Sequence, residues 1–170
     1  KPGAYEAVRA MCTKAFEKGY AVVLVEIADR CYRPYDALGS MRNEAYVRAL
    51  LEGYEYILYV DNDVYPPEDA LTTMLDRFVP ILCPLLRYDE GEHPSLGITR
   101  MKPNSGLAMV KSVPLSFLMF RTSVFLPWWS GDFWADAIGA DEGFHFTKLR
   151  ASGHAPFVDT DVTVRVSGLP

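Results

Sequence analysis

The chain has 170 residues, 49% of them hydrophobic and 23% charged, with a formal net charge of -5 at pH 7. That suits one globular domain with a sizeable core, and it argues against general affinity for nucleic acid or anionic membrane. No apolar run reaches the length of a membrane span, and the N-terminus carries no signal-peptide core, so a soluble protein in a cytoplasm-like compartment is the expectation. Cys12, Cys31 and Cys83 are dispersed and form no C-x-x-C pair, which suggests neither a zinc knuckle nor a disulfide framework.

Taken in order, residues 3–18 place Tyr5, Val8, Met11, Cys12, Ala15 and Phe16 on one face at helical spacing, with Gly19 as the stop. "YAVVLVEIA" (20–28) reads as a strand closed by Asp29 and Arg30, followed by a turn-like "RPYDALGS". A helix from Arg42 to Gly53 turns Ala45, Ala49 and Leu50 inward and pairs Glu44 with Arg48. "YEYILYV" is a short apolar run that reads as a buried strand, and it ends in Asp61 and Asp63. Pro66 and Pro67 stop it and lead into a helix through Phe78.

"VPILCPLL" (79–86) is a further strand, whose prolines predict an irregular or edge position. Residues 87–114 are rich in Gly, Pro and charge and are longer than most loops, as an active-site flap or acceptor loop would be. "LSFLMFR" (115–121) is a strand, residues 122–153 run from an aromatic loop into a helix ending near Gly153, and "APFVDTDVTVRV" is the last strand. The alternation predicts an α/β/α sandwich with a mixed, mostly parallel sheet.

Ligands in open α/β sheets bind beyond the carboxyl ends of the strands, which is where Asp61 and Asp63 fall. Two carboxylates fixed there could hold a hard cation through oxygen, or could simply cap a turn. D-x-D alone is weak, since Asp159 and Asp161 repeat the spacing. Trp128, Trp129 and Trp134 bracket a Gly-Asp turn and suit either core packing or a platform for a sugar ring.

The stretch "RNEAYVRALLEGYEYILYVDNDVYPPEDAL" resembles the nucleotide-binding core of GT-A glycosyltransferases, especially the family-2-like group of bacteria and phages. "ADEGFHFTKLRASGHAPFVDTDVTV" is similar to the acidic pair, helix, glycine and final strand of the same group, and "LSFLMFRTSVF" to its strand before the acceptor loop. The resemblance implies a GT-A, Rossmann-like fold in one domain over 1–170, with residues 28–86 binding nucleotide and metal and residues 115–166 serving the acceptor and catalysis. It implies a metal-dependent glycosyltransferase that moves a sugar from a nucleoside diphosphate donor, UDP favoured, to a hydroxyl acceptor.

By the same resemblance Asp63 is the direct ligand of Mn²⁺ or Mg²⁺, and Asp61 faces the donor ribose, or the metal through water. Arg42 and Asn43 lead the helix facing the nucleotide, and Asp29 ends the strand near the base. Asp141 and Glu142 match the family's acidic pair in reversed order; Glu142 would be the general base of an inverting reaction and Asp141 would orient the acceptor. The chain departs from the family where a metal-binding histidine follows the last strand, a position occupied here by Val166, with His145, His154 and Asp161 as substitutes. It also enters at a helix where the family opens with a nucleotide-contacting strand.

Two other classes fit parts of the pattern. One is phosphoryl chemistry, as in a nucleotide or sugar-phosphate nucleotidyltransferase or a phosphatase with Asp61 as nucleophile. Against the phosphatase stands Tyr65, where Thr or Val is expected; against the nucleotidyltransferase stands the lack of a glycine-rich basic loop. The other class is a non-catalytic domain that binds nucleotide or glycan.

Overall fold

Apolar faces at helical and strand spacing build three α-helices and six strands that lie wholly within the described residues of the structure, a computed structural model that describes residues 3–26, 34–89, 101–124, 150 and 153–167, with the backbone alone at 34–41 and 43. The helices are α1 (Ala4–Glu17), α2 (Pro34–Leu51) and α3 (Ala70–Leu75). The strands are β1 (Tyr56–Val60), β2 (Val64–Tyr65), β3 (Ile81–Tyr88), β4 (Leu107–Met109), β5 (Phe117–Arg121) and β6 (Phe157–Val166).

The helix α1 buries Val8, Met11 and Ala15 of the expected face, with Cys12 half-buried, but Tyr5 and Phe16, at the two ends of that face, are exposed. Helix α2 starts eight residues before Arg42, at Pro34, so the turn-like "RPYDALGS" is helical from its proline onward. Proline suits a first helical position, where its missing N–H would have no intrahelical partner. On its inner face Tyr46 is buried beside Ala49 and donates its hydroxyl to the Thr122 carbonyl at 2.7 Å. Its outer face carries Arg48 paired with Glu52 at 2.7 Å, one turn beyond the pairing with Glu44 that the spacing suggests. Gly53, at φ 76°, ends the helix, and the next N–H, on Tyr54, returns to the Ala49 carbonyl at 2.9 Å. An L side chain at that φ would be strained.

The strands form one six-stranded sheet in the order β1-β5-β3-β6-β2, with β4 also on β6. It is mostly antiparallel: among the described strands only the β3–β6 pair is parallel, while β1–β5, β3–β5, β2–β6 and β4–β6 are antiparallel. This corrects the mostly parallel sheet expected from the α/β alternation. Strand β1 is at one end of the described sheet and is half-buried apart from Tyr59, although its apolar run reads as buried throughout.

The strand expected at an edge is central instead. Residues 81–86 of β3 are all buried between β5 and β6. Its Pro84 sits where the register with β6 shifts, Pro84 opposite Asp159 and Leu85 opposite Thr163. A bulge is where a strand tolerates a residue without an N–H. The expected strand over 20–28 is unpaired in its described part, 20–26, where Val23, Leu24 and Val25 are exposed.

Helix α2 covers one sheet face through Tyr46, whose ring meets Phe120 at 6.1 Å; Phe120 also meets Tyr59 at 5.5 Å. Helices α1 and α3 pack on each other, and α3 packs on β6 and β3. Most of the buried apolar side chains make one core cluster, from Val8 in α1 to Val166 in β6. The loop expected to be a flap is in part a fixed element: Asn104 and Ser105 donate to the Thr160 carbonyl and hydroxyl at 2.9 and 2.8 Å, and β4 continues the ladder.

Candidate functional site

Because β5 runs antiparallel to both β1 and β3, and β3 parallel to β6, the strands β1, β3 and β6 point the same way. Their carboxyl ends bring together three segments far apart in sequence: Asp61–Asp63 after β1, Asp89 after β3, and Arg165–Ser167 at the end of β6. Backbone bonds fix them. The Asp61 N–H donates to the Ser116 carbonyl at 2.8 Å, the Asp89 N–H to Val166 at 3.1 Å, and the Ser167 N–H to the Asp63 carbonyl at 3.0 Å. Strand β2, right after the acidic turn, pairs Val64 with Val166 and so ties the turn to β6.

Arg42 joins this edge from α2. Its guanidinium is 3.8 Å from Asp61 Oδ1, with side-chain exposures of 11% for the arginine and 40% for the aspartate. Tyr59 holds the arginine in place: its hydroxyl donates to the Arg42 carbonyl at 2.7 Å, and the guanidinium lies 5.9 Å from the centre of its ring. The structure therefore brings Arg42, Asp61 and Asp63 to one place. Asn43 lies in the same helix, where only its backbone is described, while Asp29, Asp141, Glu142, His145 and the three tryptophans lie outside the described residues.

Burial pushes the Asp61 carboxyl above its usual value, Asp63 raises it further, and Arg42 offsets part of the effect. A carboxyl raised in the folded state makes the folded protein the tighter proton binder. Stability is then lost as pH rises from the ordinary carboxylate value through the raised one. Asp61→Asn is expected to be more stable than the wild type at pH 7, by less than about 1 kcal/mol because a side chain this exposed is screened by solvent. The advantage vanishes near pH 3, where the wild-type carboxyl carries its proton. Urea unfolding of both proteins at the two pH values measures it, and an equal gain at both would assign it to something other than charge.

A divalent cation would relieve the same strain. Two carboxylates are enough for Mg²⁺ when waters and substrate phosphates supply the remaining oxygens. Asp61 and Asp63 fit that role. No group of three or more His, Cys, Asp and Glu among the described residues is placed to hold a metal without such help.

Of the substitutes for a third ligand, the two within the described residues, His154 and Asp161, do not reach the edge. Val166 is buried opposite Val64. His154 precedes β6, at the strand's other end. Asp161, a substitute ligand in the sequence, is instead engaged by Arg77 and by the Gly106 N–H at 3.0 Å. The second D-x-D is thus a structural clamp. Cys12 and Cys83 are free thiols whose burial raises their pKa, which makes them poor nucleophiles.

Sequence reasoning missed Asp89, Arg165 and Ser167. Arg165 alternates with Val164 and Val166, a pattern that reads as the solvent side of a strand; only the placement of β6 beside β2 and β3 brings it to the acidic turn.

No helix among the described residues is long and apolar enough to cross a membrane. No family model and no curated protein matches the chain. Among solved structures the chain is similar to one described as the crystal structure of A197 from STIV, at a TM-score of 0.47 and 11% identity, over 91% of this chain and 76% of that one.

Proposed function

We propose that the chain is a metal-dependent glycosyltransferase of GT-A type that moves a sugar from a nucleoside diphosphate donor, UDP favoured, to a hydroxyl acceptor. The observation that carries this reading is the convergence of Arg42, Asp61 and the Asp61–Asp63 turn at the carboxyl ends of β1, β3 and β6. When a glycosidic bond to a diphosphate breaks, negative charge grows on the leaving group. A Mn²⁺ or Mg²⁺ held by Asp63, with Asp61 beside it, would neutralise that charge. Arg42 keeps Asp61 oriented and adds positive charge to the edge. The sequence resemblance supplies the donor class, and it gives Glu142 the proton of the acceptor hydroxyl, with Asp141 orienting that acceptor.

Isothermal titration with a UDP-sugar and Mn²⁺ tests the reading, the expected result being metal-dependent binding that Asp63→Ala loses. Equal binding by the two proteins would sink it. NMR comparison of donor and product anomers reads the stereochemistry: inversion is expected if Glu142 acts as the base, and retention would remove it from that role.

A further inference from the structure

We infer that Arg165 is the cation that grips phosphate oxygens at this edge, and that Asp89 holds its guanidinium in place until a ligand displaces it. The inference rests on placing the donor diphosphate at the carboxyl ends of β1, β3 and β6, and it names the side chain that receives it.

Most other arginines near the sheet ends are already committed. Arg77 is forked onto Asp159 and Asp161, Arg121 donates to Tyr56 at 2.7 Å, and Arg87 donates to the Met101 carbonyl at 3.0 Å. Arg42 is turned to Asp61. Arg165 differs. Its guanidinium is 4.9 Å from the centre of the Tyr65 ring, its cross-strand neighbour, which presets the plane of the fork. Its Nε is 3.1 Å from Asp89 Oδ1, an ion-pair distance, yet that nitrogen is closed off from water and makes no hydrogen bond of proper geometry. The terminal nitrogens find no partner among the described residues, although 41% of the side chain is exposed.

A pre-set guanidinium whose terminal donors are unused among the described residues matches a phosphate, whose oxygens accept two parallel N–H bonds. Arg165 is also two residues from Ser167, whose N–H and hydroxyl both donate to the Asp63 carbonyl, so the cation and the acidic turn share one backbone frame. Entry of a phosphate exchanges one half-exposed ion pair, with Asp89 at 45% exposure, for another. The exchange leaves no buried charge unpaired, because a freed Asp89 is half-exposed and is solvated by water.

The test is isothermal titration of wild type, Arg165→Gln and Asp89→Asn with pyrophosphate, UDP and uridine, each with Mg²⁺. Arg165→Gln removes the charge and the guanidinium over Tyr65 but keeps an uncharged polar side chain with two of the three methylenes, and thermal melts confirm that it folds. It is expected to bind pyrophosphate and UDP roughly ten- to a hundredfold more weakly, the loss of charge-assisted bonds, while uridine is unaffected. Asp89→Asn is expected to bind both phosphates as tightly as wild type or several-fold tighter.

Undiminished phosphate binding by Arg165→Gln overturns the inference, as does weaker binding by Asp89→Asn or no pyrophosphate binding by the wild type. Pyrophosphate binding through Arg165 without Mn²⁺-dependent UDP-sugar binding leaves the phosphate site standing and removes the glycosyltransferase reading. UDP-sugar binding that needs Asp63 but not Arg165 does the reverse.

Discussion

Arg77→Ala is expected to destabilise the protein by about 3 to 5 kcal/mol, the usual cost of removing one partner from a buried charge pair. Asp159 has no exposed surface, and Arg77 supplies two of the three bonds that its carboxylate accepts among the described residues, Nε to Oδ2 at 2.8 Å and Nη2 to Oδ1 at 3.2 Å. The third is the Asp161 N–H at 3.1 Å. Truncation at position 77 leaves a buried carboxylate with one donor, and it also unfastens the end of α3 from β6 beside the bulge.

In a chain of this length such a loss lowers Tm by on the order of 10 °C. Urea unfolding measures it. Asp159→Asn in the Arg77→Ala background should restore part of the loss, because the unpaired charge disappears, whereas Arg77→Lys should fall between wild type and alanine for want of the planar fork. A loss under about 1 kcal/mol would mean that water reaches Asp159 and that the pair behaves like a surface ion pair.

The clamp shows where sequence legibility stops. Asp159 and Asp161 repeat the spacing of Asp61 and Asp63, and nothing local tells a cation cradle from an arginine socket; Arg77, 82 residues away in sequence, decides between them. Strand direction was hidden for a similar reason. Phe117–Phe120 is buried throughout and reads alike whether its neighbours run parallel or antiparallel. The prolines of "VPILCPLL" suggested an edge, yet Pro84 sits at a register shift in the centre of the sheet, where its missing N–H leaves no ladder bond empty. What could be read was local: Val8, Met11 and Ala15 of the α1 stripe, the Gly53 stop, the apolar β1 run and the acidic turn after it. Arg42 followed from the family resemblance, and the structure sets it 3.8 Å from Asp61.

Asp63→Ala is expected to weaken Mn²⁺-dependent UDP-sugar binding about a hundredfold, which corresponds to roughly 2.7 kcal/mol, while leaving the fold intact. The fold survives because the main chain, not the carboxylate, anchors residue 63: its carbonyl accepts from the Ser167 N–H at 3.0 Å and the Ser167 hydroxyl at 3.3 Å. Its side chain is half-buried and its neighbour Val64 is locked into β2, so a methyl in its place disturbs little. Stability should therefore change by no more than about 0.5 kcal/mol.

The loss of affinity should depend on the metal. On the proposed reading Asp63→Ala removes a ligand from the cation as well as one negative charge from the turn, so UDP titrated without Mn²⁺ should bind the variant at least as well as wild type, since its phosphates meet less repulsion. Metal-free binding that falls in parallel would show that Asp63 acts on the nucleotide directly and not through a cation. Asp61→Asn provides the internal comparison. If Asp61 faces the ribose, its loss should weaken UDP with or without the metal; if it reaches the cation through water, only the metal-dependent part should fall. The two titrations together divide the turn into a metal-holding carboxylate and a sugar-facing one, roles that the spacing of the aspartates cannot separate.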